Sequence, residues 1–289
     1  MTSGAATNFV KRQMLGRSVG QWGGINTRPE LTPSDDIQAK MNDMSMQGGG
    51  EICLGPYEYR IESKAQNDTD AASEIFWTIP ENVTLVGVPN KTIIYKKTYY
   101  QESFGNSFVN IKSLGPVISL AGGGSSIIGC TVYLDLLSGY YQPARAPDFR
   151  AGAVSGVKLG AGGPDVNKKQ SCIIYVGGNY QNRRIQNCTI GSPTLNDLDQ
   201  VLVGVYIDNG SSTKTLITNN FFMNRCSSEY SAGIYVLTNS TDNAIVGNIS
   251  RYAATDFISI YNAANLAFNV VSGNVPSNAG SSTSYGLRV

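Results

Sequence analysis

The chain has 289 residues, 15% of them charged, 32 of them glycine, and a formal net charge of +1. That near-balance excludes the basic footprint of a nucleic-acid binder and a polybasic membrane anchor. With no histidine anywhere, Ser-His-Asp and Cys-His nucleophile systems, HExxH zinc sites and imidazole bases are excluded, leaving carboxylate, tyrosine, lysine and arginine chemistry.

Residues 1–31 are Gly/Ser/Thr-rich with scattered Lys and Arg, and Trp22 between glycines is their one large anchor. They predict an extended arm for attachment to a partner. They contain no apolar run of signal-peptide length, and no later stretch reaches the roughly 18 apolar residues of a membrane span. The expectation is a protein without membrane insertion, folded in a reducing compartment. Its five cysteines, Cys53, Cys130, Cys172, Cys188 and Cys226, form no CxxC pair and are expected as buried free thiols, with no metal and no cofactor.

Residues 32–48 predict the one helix. Ser34 is its expected N-cap, Asp35 and Asp36 fall in the first turn, and Ile37, Met41 and Met44 form an apolar stripe. Gly48-Gly49-Gly50 ends it.

From about residue 51 the chain turns to short β-rich runs between Gly, Asn, Ser and Asp. Five runs share one shape: IIGCTV, IQNCTI, ITNNFF, IVGNIS and LAFNVV. Each starts aliphatic and reaches Cys or Asn near its fourth position: Cys130, Cys188, Asn220, Asn248 and Asn269. A second family (ISL, VYI, IYV, ISI) precedes these residues by 10 to 14 positions, measured from Ser119, Tyr206, Tyr235 and Ser259. Two strand families in constant phase, with loops of varying length between them, predict a coil that returns to the same place. The expected fold is an all-β, single-stranded right-handed parallel β-helix of about seven coils, with an N-terminal capping helix. In that stack the five Cys and Asn residues form one structural ladder. Expected boundaries are an arm over 1–31, helix and first strand over 32–61, β-helix over 62–273 and a tail over 274–289. The stretch 154–190 fits no unique coil.

Residues 35–61, DDIQAKMNDMSMQGGGEICLGPYEYRI, resemble the opening motif of the pectate-lyase-like β-helix family. Asp36, Ile37, Gln38, Gly48–Gly50, Leu54, Pro56, Tyr59 and Ile61 match it, and IPENVTLVGVPNKTII (79–94) is similar to the family's first coil. The resemblance implies the fold and leaves function open, because this fold hosts lyases, hydrolases, phage tailspikes and inert virion parts. The hydrolase pattern of paired Asp with Gly-His-Gly is not met. ARAPDFR (144–150) places Arg145, Pro147 and Arg150 at the spacing of a pectate-lyase arginine motif.

Asp208, Asp242 and Asp256 flank equivalent strands. As an acid/base pair on a glycosidic bond they would have to stand about 5 to 9.5 Å apart; as turn residues they would serve their own backbone. Tyr206 and Tyr235, joined by Tyr175, are expected to point outward as an aromatic stripe that packs a neighbouring subunit or stacks sugar rings. The resemblance, the arm and the stripe together lead to the expectation of a bacteriophage virion protein. It would be a tailspike-like, non-catalytic homotrimer assembled in host cytoplasm, serving host-surface binding or particle decoration, joined to other virion proteins through residues 1–31, with host surface polysaccharide as a further partner. The alternatives are a polysaccharide lyase or glycoside hydrolase, and a glycan-binding module.

Overall fold

The computed structural model describes residues 30–61, 76–102, 109–112, 116–136, 172–191, 203–208, 214–223, 232–236, 240–251, 256–260, 269–277 and 285–288. Trp22 and nearly all of the expected arm, together with Arg145, Arg150 and Cys226, lie outside these residues.

Ile37–Met46 forms the helix, α1. Its N-cap is Asp36 rather than Ser34: the Asp36 carboxylate accepts the Ala39 N–H at 2.9 Å. A carboxylate is a strong acceptor for an orphan first-turn N–H, and the helix dipole favours its charge there. Asp35 instead turns back to accept the N–H and hydroxyl of Thr32. Ile37 and Met41 are buried, with Met44 half-buried beside them. Gln38 ties the helix to the first coil, its amide exchanging hydrogen bonds with the Thr78 N–H (2.8 Å) and C=O (2.9 Å).

Seven coils follow. The first is β1 (Gly50–Cys53), β2 (Glu58–Ile61) and β3 (Trp77–Ile79). The second is β4 (Val83–Val86), β5 (Ile93–Glu102), an antiparallel spur β6 (Val109–Lys112), and β7 (Ile118–Leu120). The third is β8 (Ser126–Ile128), β9 (Thr131–Leu136) and β10 (Cys172–Val176). The fourth is β11 (Arg184–Gln186), β12 (Thr189–Ile190) and β13 (Val203–Ile207). The fifth is β14 (Leu216–Thr218), β15 (Phe221–Phe222) and β16 (Ala232–Val236). The sixth is β17 (Ala244–Val246), β18 (Ile249–Arg251) and β19 (Asp256–Ile260). The seventh is β20 (Val270–Ser272), β21 (Val275–Ser277) and β22 (Tyr285–Arg288).

The first, second and third strands of the coils stack into three parallel sheets. The segment expected as a tail over 274–289 thus supplies β21 and β22. The stretch that fitted no unique coil contains β10, the third strand of coil three.

Inward columns fill the lumen. On the first sheet Ile52, Leu85, Ile127, Ile185, Ile217 and Ile245 align in register, all buried. On the second, Tyr59, Ile94, Val132, Ile190 and Phe222 do the same. Each full burial of such a side chain contributes about 1.5–3 kcal/mol, and no single coil provides it alone.

The corner between the first and second sheets explains the five-run motif. Gly129, Asn187, Asn219, Gly247 and Gly273 all adopt positive φ (53–70°), a conformation open to Gly and tolerated by Asn. The next residue in each case points inward: Cys130, Cys188, Asn220, Asn248, Asn274. The amides link upward. Asn220 Oδ1 accepts the Cys188 N–H at 2.9 Å, Asn248 Oδ1 accepts the Asn220 N–H at 3.0 Å, and Asn274 Oδ1 accepts the Asn248 N–H at 2.9 Å. Asn269 is therefore not the last rung of this ladder; Asn274 is. Asn269 belongs to a second ladder at the corner between the third and first sheets. There its Oδ1 accepts the Asn243 N–H and Asn243 Oδ1 accepts the Thr215 N–H, both at 3.0 Å. The five-residue slip arises because both corners place an Asn just before an aliphatic strand, so LAFNVV mimics the motif that SGNV actually carries.

Candidate functional site

The most elaborate polar arrangement lies on the third sheet and the corner that leaves it. Val205 and Ile207 point into the coil and Tyr206 between them points out, as do Tyr175 and Tyr235 at the paired positions. The rings stack along the coil axis, Tyr175 on Tyr206 at 6.1 Å and 18°, Tyr206 on Tyr235 at 5.6 Å and 12°.

The expected direction holds and the expected exposure does not. Tyr206 and Tyr235 are each only 2% exposed, and they cluster with Cys172, Val203 and Ala232 outside the main core. Tyr206 has a ring against both its faces, so neither face is left for a sugar or a second subunit.

The Tyr175 hydroxyl donates to Asp208 Oδ2. Burial, and next the bond to Asp208, push the ionisation of Tyr175 far above the ordinary tyrosine range. Gly177 makes this possible: the Tyr175 ring lies where its Cβ would be. The Asp208 backbone takes part as well, its N–H donating to Val176 O at 2.9 Å and its C=O accepting the Ser240 hydroxyl at 2.6 Å. Asp208 thus joins three successive coils.

The other two carboxylates are elsewhere. Asp242 is exposed, at φ 62°, and its Oδ2 accepts the Thr241 hydroxyl at 3.2 Å. Asp256 opens β19, with its backbone paired to Ala232 and Tyr285. Ile207 pairs with Val236 and Val236 with Ile260. Asp208 therefore stands five register positions beyond Asp256, about 16 Å along the strand direction and outside the range for a glycosidase pair. Asp208 and Asp242 lie on the corner leaving the third sheet; Asp256 lies where the chain enters it.

Arg183 is the functional-type residue that the sequence reading missed. It is wholly buried, in the same column as Ser125, Thr215 and Asn243. Its Nη1 donates to Gly177 O at 2.6 Å and Leu120 O at 3.3 Å, its Nη2 reaches Gly178 O at 3.5 Å, and its Nε has no acceptor among the described residues. Burial lowers its pKa to about 10, which leaves the guanidinium charged at neutral pH. A long cation at a register position otherwise held by small polar residues was the available signal.

A second aromatic stack lies on the second sheet, where Tyr95 and Tyr133 pair at 5.4 Å and 8°, both half-buried. Among the described residues no group of three His, Cys, Asp or Glu side chains could hold a metal ion. Cys130 and Cys188 stack in the first ladder as free thiols, with burial raising both pKa values, that of Cys188 to about 11.

No protein-family model matches the sequence, and no curated protein does. Solved structures with a similar backbone course include a rice weevil pectin methyl esterase, at 13% identity and TM-score 0.49, covering 99% of this chain and 76% of that one. A mannuronan C-5 epimerase A-module from Azotobacter vinelandii is 15% identical at TM-score 0.40, covering 78% of this chain and 57% of that one. A tailspike protein double mutant of E. coli bacteriophage HK620, in complex with pentasaccharide, is 14% identical at TM-score 0.40, covering 86% of this chain and 48% of that one. The chain thus spans about half the length of the tailspike and somewhat more of the epimerase module. With three parallel sheets built from stacked coils and an N-terminal helix, the chain has the all-β parallel β-helix fold.

Proposed function

We propose that the chain is a tailspike-like β-helix of a bacteriophage virion, which binds host-surface polysaccharide without cleaving it. The observation that carries the non-catalytic reading is the placement of the acidic candidates. Asp208 is engaged by Tyr175 and ties three coils together, while Asp242 serves a left-handed turn. Their positions are those of structural carboxylates, and Asp256 is too distant to pair with Asp208. Binding then belongs to the flank rather than to a cleft. The half-buried Tyr95–Tyr133 stack on the second sheet is the aromatic surface we assign to it, since aromatic side chains combine large contact area with a polar tip.

The test is incubation of the full chain with bacterial capsule and lipopolysaccharide polymers. Binding should be measured by co-sedimentation and polymer length by size-exclusion. Retained polymer of undiminished length, with retention weakened by Tyr133→Ala, is the expected result. Shortened oligosaccharides that disappear in Asp208→Asn would replace this reading with the lyase or hydrolase alternative, and no retention of any polymer would remove the binding role.

A further inference from the structure

Two of the free cysteines face each other inside the stack. Cys130 and Cys188 follow the left-handed residues Gly129 and Asn187 and take the same inward place on coils three and four. The residues around them pair in register, Ile128 with Gln186 and Thr131 with Thr189. The Thr189 N–H donates to Cys130 O at 3.0 Å. The two cysteines therefore stand one above the other at the rung spacing of about 4.8 Å. That separation of Cα atoms falls within the roughly 4.4–6.8 Å that a disulfide spans. Both are 1% exposed and belong to the same core. Beside Cys53 and Cys172, by contrast, the next coil places Val86 and Val203.

The sulfurs hold places that carboxamides take on the rungs above. There Asn220 and Asn248 join neighbouring coils through amide hydrogen bonds of 2.9 to 3.0 Å. Cys188 Sγ reaches only Gln186 O at 3.3 Å and Ile127 O at 3.7 Å, and Cys130 Sγ reaches Ile128 O at 3.6 Å. A thiol is a weak donor, so the side-chain tie between coils three and four is weaker here than the amide ties above it.

We propose that Cys130 and Cys188 form a redox-dependent covalent rung, a disulfide that closes in the presence of a small-molecule disulfide such as oxidised glutathione and opens under thiol reductants. One cysteine thiolate attacks the S–S bond of the oxidant and releases its first thiol. The second cysteine then attacks the protein sulfur of the mixed disulfide and releases the other. Two electrons pass from the cysteine pair to the oxidant, and the two departing sulfurs take up the two protons. Burial holds both thiols protonated, so exchange in either direction proceeds slowly, when this corner opens. The bond closes a loop of 58 residues, the interval from 130 to 188. Restricting the unfolded chain by a loop of that size should raise the unfolding midpoint by about 5–10 °C in a chain of this length.

The test holds the folded full chain at about pH 8 in oxidised glutathione, with a parallel sample in reduced glutathione. Free thiols are then alkylated and the cysteine peptides mapped by mass spectrometry. One cross-link, Cys130 to Cys188, is the expected result, with the higher midpoint in thermal melting and its return on adding dithiothreitol. Cys188→Ala should abolish both the link and the shift, and Cys53→Ala neither. Mapping of the unaltered chain decides the matter even where a variant fails to fold. Cys130 and Cys188 left as thiols or as separate glutathione adducts after prolonged oxidation would overturn the proposal. So would links spread over Cys53, Cys172 or Cys226, or a linked protein whose midpoint is unchanged or lower.

Discussion

Replacing Asn248 by alanine breaks four hydrogen bonds at a fully buried position. Asn248 Oδ1 accepts from the N–H and Nδ2 of Asn220, both at 3.0 Å, and its Nδ2 donates to Ile217 O and to Asn274 Oδ1, both at 2.9 Å. Asn220 Nδ2 keeps one acceptor, Ile185 O at 2.9 Å, so its loss is partial. The Asn220 N–H and the Ile217 C=O are left buried without these partners. At about 1–3 kcal/mol for each unsatisfied buried group, and less for the half-exposed Asn274, the total is about 3–5 kcal/mol. Asn274→Ala, at the solvated end of the ladder, should cost only about 1–2 kcal/mol by the same reckoning. Equilibrium urea unfolding followed by near-ultraviolet circular dichroism measures both, with an unchanged m-value showing that the folded and unfolded states remain comparable. A loss below about 1 kcal/mol for Asn248→Ala, or equal losses for the two variants, would refute the ladder as a source of stability.

Tyr175→Phe removes a hydrogen bond to a carboxylate and should cost about 1.5–3 kcal/mol, read in the same urea titration. Gly233→Ala should destabilise by about 1–3 kcal/mol, because its Cβ would stand 2.8 Å from Phe257 Cδ2 and 2.9 Å from Phe257 O; thermal melting reports it, and an unchanged midpoint would contradict the packing described. Alkaline pH should weaken the fold. Burial raises Tyr59 to about 12 and Cys188 to about 11, and raises Cys130 and Tyr175 as well. Groups held protonated contribute stability that is complete below their unfolded pKa values, 9.0 for Cys and 10.0 for Tyr, and lost as pH rises through the folded ones. Stability measured from pH 8 upward should therefore begin to decline near pH 9, with a fraction of the tyrosines ionising only on unfolding in a spectrophotometric titration.

The sequence alone determined the architecture, because a stacked coil writes its period into the chain. Aliphatic residues must return to the lumen once per side, and a left-handed corner requires Gly or Asn at a repeated place. Val205/Ile207 with Ile234/Val236, and Gly129, Asn219 and Gly247, carry that information locally. So did the Asp36-Ile37-Gln38 helix start, although which neighbouring side chain caps it depended on the turn geometry at Thr32. The tertiary structure decided whatever depends on distance between coils whose loops vary in length. It set the rung that Asn269 joins, since two corners share one local pattern and only the register separates them. It buried Tyr206 and Tyr235, whose alternation fixes direction but not what lies beyond. It brought Tyr175 to Asp208 across 33 residues, and it drew Arg183 under the carbonyls of Leu120 and Gly177, where no local rule places a cation. Periodicity along a chain specifies which way a side chain faces; only the assembled stack specifies what it meets there.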